Sequence, residues 1–152
     1  MCYIGDGDNM ANSLIVGGLK SGMQVSVATP KGYEPDESVL AFANGQEGFV
    51  LTQDPKEAIA DADVVITDTW ASMGVEREKQ LRQKAFSGYQ ANHGLMQLAK
   101  AGAMVQHCLP AYRGQEISEE LFEAHADEIF EEAENRLHAQ KAVMVKLLQD
   151  AR

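Results

Sequence analysis

Positive charge is what this sequence has least of relative to its opposite: 13 lysines and arginines face 23 aspartates and glutamates, a formal net charge of −10. That deficit argues against a nucleic-acid or acidic-membrane partner, since either wants a basic face. Cysteine is scarce as well. Cys2 and Cys108 could form one bridge at most, so both are expected as free thiols in a reducing cytosol. No apolar run approaches the roughly 20 residues of a membrane span, and no charged-then-apolar stretch opens the chain. CxxC and HExxH are missing, and His93, His125 and His138 show no ligand spacing, so no metal is expected. There is no internal repeat and no low-complexity linker.

What is present is an ordinary apolar share, 45% of 152 residues, enough for one domain with a core. Cys2-Tyr3-Ile4 predicts a strand at the very start, with no polar lead-in, which predicts a chain cut from something longer. A helix is expected from about Met10 to Ser21, where Leu14, Ile15, Gly18 and Leu19 share a face. Gln24–Thr29 and Gly48–Leu51 read as strands, with a helix from Asp36 to Asn44 between them and one capped by Asp54 after them. Asp63–Asp68 is the clearest buried strand, apolar on both faces as a parallel sheet requires. Helices are expected from Val75 to Phe86 and from Gln90 to Ala101. A strand over Ala103–Gln106 follows, then a turn of helix near Glu119 and a long helix from Glu131 to Gln149. This alternation predicts a single α/β domain: a three-layer, Rossmann-like parallel sheet with helices on both faces.

In such a sheet ligands bind where strands open into loops. His107-Cys108-Leu109-Pro110-Ala111-Tyr112-Arg113-Gly114 places a thiol and a guanidinium at one such opening, because Pro110 has no N–H to continue a ladder. Gly5-Asp6-Gly7-Asp8-Asn9 makes a second. It resembles the start of a dinucleotide fingerprint, but the third glycine position is Met10 and Thr29-Pro30-Lys31 stands where an acid belongs. Asn9 there suits either a helix cap or a ligand contact. Asp68 ends a third strand, ahead of Trp70-Ala71-Ser72-Met73-Gly74, a segment suited to a lid with a glycine hinge. Adjacent strand residues point to opposite faces, so His107 is a poor base for Cys108 and a Cys–His protease pair is not expected. The acidic run from Glu116 to Glu134 reads as a solvated face.

Four segments together carry a resemblance: Gly5-Asp6-Gly7-Asp8-Asn9-Met10-Ala11-Asn12-Ser13, Asp68-Thr69-Trp70-Ala71-Ser72-Met73-Gly74, the His107–Gly114 stretch, and Glu134-Asn135-Arg136-Leu137-His138-Ala139-Gln140. In content and order they resemble the ornithine carbamoyltransferases, and the resemblance covers essentially the whole chain. It is to the second half of that enzyme. Residues 1–152 are therefore read as the ornithine-binding domain of an aspartate/ornithine carbamoyltransferase-type enzyme, with the N-terminal carbamoyl-phosphate domain absent. The family's Ser-x-Arg-Thr and His-Pro-x-Gln motifs do not occur: no arginine precedes Arg77 and no histidine precedes a proline. Tyr112 stands where a histidine is common, and is expected to be tolerated because it lies past the thiol.

The resemblance implies attack of the side-chain amine of L-ornithine on carbamoyl phosphate, giving L-citrulline and phosphate, with no cofactor. It implies that Asn9, Asp68, Ser72 and Met73 hold ornithine, and that Cys108, Leu109 and Arg136 face carbamoyl phosphate, with Leu109-Pro110 cis. Cys108, Arg136 and Asp68 are the residues it puts closest to the chemistry. Ornithine's side-chain amine, with a pKa near that of Lys at about 10.4, costs roughly 4 to 5 kcal/mol to neutralise at pH 7. A carboxylate beside it would hold that proton on, so Asp68 is better used on the α-ammonium, and a neutral thiol is the better neighbour for the reacting nitrogen. Arg136 offers a fork for phosphate or carbonyl oxygens. One arginine is little for a dianion, so the isolated chain is expected to be inactive. Its partners are then the missing domain and neighbouring subunits of a homo-oligomer, in the cytoplasm, with the last helix docking on the missing domain. The rival reading is a non-catalytic amino-acid-binding or interaction module of the same fold.

Overall fold

The computed structural model describes residues 1–70 and 79–151. Five short strands, β1 (Cys2–Ile4), β2 (Val25–Ala28), β3 (Phe49–Thr52), β4 (Val64–Thr67) and β5 (Met104–His107), form one parallel sheet in the order β3-β2-β1-β4-β5. The described helices are α1 (Asn9–Lys20), α2 (Glu37–Ala43), α3 (Pro55–Ile59), α4 (Lys79–Ala85), α5 (His93–Met96), α6 (Glu119–Ala124) and α7 (Ala126–Asp150). The three-layer, Rossmann-like α/β expectation is met.

Side-chain alternation sorts the layers. Tyr3, Val25, Val27 and Ile66 point to one face, where Ala11, Ile15 and Leu19 of α1 and Ala43 of α2 cover them. Cys2, Ile4, Ala28 and Val65 point to the other, against Ala58 and Ile59 of α3, Phe86, Tyr89 and Leu95. A third cluster, Val105 with Ile117, Leu121, Phe122 and Ile129, seats α6 and α7 on β5.

Two features of this sheet position the site. The chain winds outward from β1 through β2 to β3, then returns to the opposite side of β1 for β4 and β5, so the loops after β1 and β4 diverge and leave a crevice between them. The register also pairs Ile4 with Thr67 and Thr67 with His107. The next residues of these three neighbouring strands, Gly5, Asp68 and Cys108, therefore follow one another along one edge.

Two elements differ from their expected extents. The helix expected over Gln90–Ala101 is confined to His93–Met96, capped by Asn92 Oδ1 accepting from Leu95 N–H at 3.0 Å. Ala91 is pulled out of it, exchanging backbone bonds with Glu116 and Ser118. The last helix begins at Ala126 instead of Glu131, because Ile129 is buried under β5 and Glu128 is bonded to it. Of the helix expected over Val75–Phe86, the part before Lys79 lies outside the described residues.

Candidate functional site

The loop after β1 is tight because its own chain closes over it. A Cβ on Gly7 would stand 2.4 Å from the backbone of Tyr33, Glu34 and Pro35, and Gly7 N–H donates to Tyr33 O at 2.9 Å. The space a pyrophosphate would need beside that glycine is filled by residues 33–35, so the Gly5-x-Gly7 spacing serves packing. Asp6 in the same loop pairs with Arg82 of α4, which also donates to Trp70 O at 2.8 Å and lies over the Tyr33 ring at 5.0 Å. Burial outweighs that guanidinium and leaves the Asp6 carboxyl raised. Trp70, expected in an exposed lid, is buried and stacks on Phe86 with centroids 5.6 Å apart. The capping role weighed for Asn9 is not realised: Asp8 occupies the cap position, Asn9 is the first helical residue, and its exposed side chain has no partner among the described residues.

Asp68 and Cys108 meet at the edge. One Asp68 carboxylate oxygen, the Cys108 Sγ and a His107 ring nitrogen all lie within 4.8 Å of one another. Asp68 Oδ1 accepts from Thr69 N–H at 2.7 Å, which fixes the carboxylate in place. Burial pushes the Cys108 thiol up to about 12, helped by the Asp68 charge, by its S–H donating to Asp68, and by the Glu132 charge. The thiol therefore keeps its proton at neutral pH. Tyr3 shows how compact the edge is: buried, and facing Asp68, Asp6, Cys108 and Asp8, its hydroxyl is held well above the usual phenol range.

The alternation argument about His107 does not hold. β5 ends at His107, so Cys108 lies beyond the pleat and its sulfur comes near the imidazole instead of pointing away. His107 is nonetheless occupied. Leu109 N–H donates to Nδ1 at 3.0 Å, which puts the ring proton on Nε2, and Nε2 faces Glu116 Oε1 at 3.2 Å. With both ring nitrogens engaged, His107 is not available as a third metal ligand beside Asp68 and Cys108. Glu116 Oε1 also accepts from Tyr112 N–H at 2.5 Å, so one buried carboxylate ties both ends of the His107–Tyr112 loop. Within that loop Leu109 holds φ at +56° and its bond to Pro110 is cis. Arg113 is paired with Glu123 at 2.7 Å and lies over the Phe122 ring at 4.2 Å.

The acidic stretch is the largest correction. Glu116 is fully buried, and Glu128 and Glu132 accept from β5 backbone amides, so three residues expected on a solvated face are structural acceptors. Spacing alone held a signal for two of them. Glu128 and Glu132 sit four apart on one helix, and the last strand of a sheet carries unpaired amides two apart. Burial pushes the Glu132 carboxyl up despite the His107 amide that it accepts from. Arg136 stands one turn further along α7, exposed. Ser72, Met73 and the Gly74 hinge lie outside the described residues. A depression of about 730 Å³ lies at the opposite edge of the sheet around Met1, Gln24 and Asp63, away from Asp68 and Cys108; chemistry, not size, locates the site.

A family model described as "Aspartate/ornithine carbamoyltransferase, Asp/Orn binding domain" matches residues 1–147. The chain belongs to the aspartate/ornithine carbamoyltransferase family. It corresponds to the domain that the description names. An ornithine carbamoyltransferase of Nitratiruptor sp. is 56% identical over 152 residues, covering 97% of this chain and 49% of that protein. The ornithine carbamoyltransferase of Campylobacter curvus is 53% identical, with coverages of 97% and 50%. In three dimensions, the anabolic ornithine carbamoyltransferase of Campylobacter jejuni superposes with a TM-score of 0.90 at 45% identity, covering 99% of this chain and 51% of that one. The chain spans about half the length of the carbamoyltransferases it matches.

Proposed function

We propose that this chain is the ornithine-side half of an ornithine carbamoyltransferase, which transfers the carbamoyl group of carbamoyl phosphate to the side-chain amine of L-ornithine, giving L-citrulline and phosphate within arginine metabolism in the cytoplasm. The observation that carries this reading is the contact of Asp68 with a protonated Cys108 at the sheet's switch-point edge. A carboxylate fits an α-ammonium that stays charged, and a neutral thiol can stand beside an amine that must lose its proton to attack. Asn9 then flanks the ligand from the start of α1, Leu109 and Arg136 face the carbamoyl phosphate, and Ser72 and Met73 are given to ornithine by the family resemblance alone.

Among the described residues, little is left for the phosphate. Arg82 is committed to Asp6 and Trp70, and Arg113 to Glu123. Arg136 alone among these remains on the site side, so the absent domain brings most of the anion site and the isolated chain is inactive. The second half of α7 is the docking element for that domain. Leu137, Met144, Leu147 and Leu148 form a stripe 59–69% exposed, more apolar surface on one helix face than a finished monomer leaves open. Neighbouring subunits of a homo-oligomer complete the enzyme.

The deciding experiment mixes this chain with a separately produced first half of a full-length relative and measures citrulline. Product is expected from the mixture and none from either half. No citrulline at any mixing ratio would favour a non-catalytic amino-acid-binding module. A companion prediction concerns docking. Replacing Leu147 and Leu148 by serine should change the chain's own unfolding free energy in urea by no more than about 0.5 kcal/mol per site, as exposed substitutions do. It should weaken association with the first half at least about tenfold, since two apolar anchors lose their burial. Unchanged association by calorimetry would refute the docking role.

A further inference from the structure

β5 is an edge strand, and the N–H groups on its outer side, those of Val105 and His107, have no strand to bond. They donate to side chains of α7 instead: Val105 N–H to Glu128 Oε2 at 2.9 Å, and His107 N–H to Glu132 Oε2 at 2.8 Å. The two rungs repeat in step. Two strand residues advance about 6.6 Å and four helix residues about 6 Å, so carboxylates at i and i+4 meet amides at j and j+2. Both numbers rise together, so α7 runs parallel to β5 and heads for the edge that carries Asp68 and Cys108. β5 ends at His107, so position 136, the next in the helical series, has no strand rung opposite it and stands level with the loop that opens at Cys108.

Position 136 is the arginine, and the loop opens with the thiol. We propose that Glu132 is a positioning residue: its bond to the His107 amide sets the register of α7 on β5 and so holds Arg136, one turn further on, beside the loop that opens at Cys108. The assignment rests on the functional reading above only in what Arg136 does there. The register itself is a property of this chain. Glu132 is the rung that matters most. Glu128 is also held by His125 at 3.0 Å and lies two turns from Arg136, whereas Glu132 is the last anchor before it. Glu132 is also close enough to Asp68 and Cys108 for their charges to act on one another.

The register can be read without activity. In this chain carrying Arg136→Cys, a short bis-methanethiosulfonate linker should join position 136 to Cys108, while the fully buried Cys2 does not compete. The crosslink rate is taken relative to each variant's Cys108 rate with a monofunctional methanethiosulfonate at the same pH, because the Glu132 charge also bears on the thiol. Adding Glu132→Ala should lower that ratio about tenfold, the scale of one hydrogen bond lost, and Glu132→Gln, which keeps an acceptor oxygen, should restore most of it. If Glu132→Ala loses its far-UV helix signal, Glu132→Asp, whose reach is one methylene shorter, takes its place with the same expectation. A parent whose Cys108 reacts with the monofunctional reagent yet does not crosslink, an unchanged ratio in Glu132→Ala, or glutamine behaving like alanine would each overturn the proposal. With Arg136 intact and the first half present, Glu132→Ala should lower kcat about tenfold with little change in the KM for ornithine, and glutamine should rescue it. An equal kcat would also overturn it. If the parent mixture makes no citrulline, the functional reading fails and the crosslink still decides the register.

Discussion

Asp68→Ala is expected to weaken ornithine binding to the reconstituted enzyme about a hundredfold or more, while the domain stays folded. Removing one partner of a hydrogen-bonded charge pair costs about 2–5 kcal/mol, and the half-open edge puts this pair toward the lower part of that range, about 3 kcal/mol or a hundredfold. The fold does not depend on the side chain. Asp68 lies past the end of β4, half-buried, and accepts from the next residue's amide and from the Cys108 thiol, neither of them a bond within the sheet. The urea midpoint should therefore move far less than the affinity. Asp68→Asn separates shape from charge: it retains an acceptor for Thr69 N–H but no anion for the α-ammonium, and should lose nearly as much affinity as alanine. Calorimetric titration with ornithine in the presence of the first half checks this. Retained affinity in Asp68→Ala would remove the residue from the ornithine site.

The second large effect is chemical. Cys108 should resist alkylation at pH 8 about 30-fold more than an ordinary exposed thiol. Raising its pKa from 9.0 to about 12 lowers the thiolate fraction by three powers of ten. The greater nucleophilicity of a more basic thiolate, with a Brønsted slope of about 0.4–0.5, returns part of this. The sign is set by the shift: a raised pKa keeps the proton on, so the iodoacetamide rate should keep climbing about tenfold per pH unit beyond pH 9, where a free thiol of pKa about 8.5 has levelled off. Asp68→Asn removes a neighbouring charge and should bring the midpoint down and speed the reaction at pH 8. A plateau below pH 9 in the parent chain would mean that the thiol ionises readily, and its role as a neutral neighbour of the attacking amine would fall.

The sheet and its ligand edge were legible because they rest on short-range signals. Alternation in Gln24–Thr29, an unbroken apolar run at Val64–Thr67 and Pro110 after the last strand each name their own structure. Asp68 and Cys108 were legible as site candidates for the same reason: both follow strand ends. What spacing could not show was where three glutamates point. Glu116, Glu128 and Glu132 look like part of a solvated acidic run, and only the pairing of α7 with an edge strand and the return of the His107–Tyr112 loop gives them buried partners. Arg82 was invisible too, because its partner Asp6 is 76 residues away. Trp70 was misplaced because a large aromatic in a loop says nothing of the Phe86 ring that waits for it.

The glutamate rungs have a cost that appears when they come undone. With α7 detached, the Val105 and His107 amides become an open template on one side of the sheet, while β3 on the other side shows Val50 and Leu51 partly uncovered. One molecule's left margin then fits another's right. Where the rotation does not close a ring, such a head-to-tail join grows into filaments. Two carboxylates thus cover an edge open to a foreign strand as well as holding a helix in line, and replacing both by alanine should be what turns solutions of the domain cloudy.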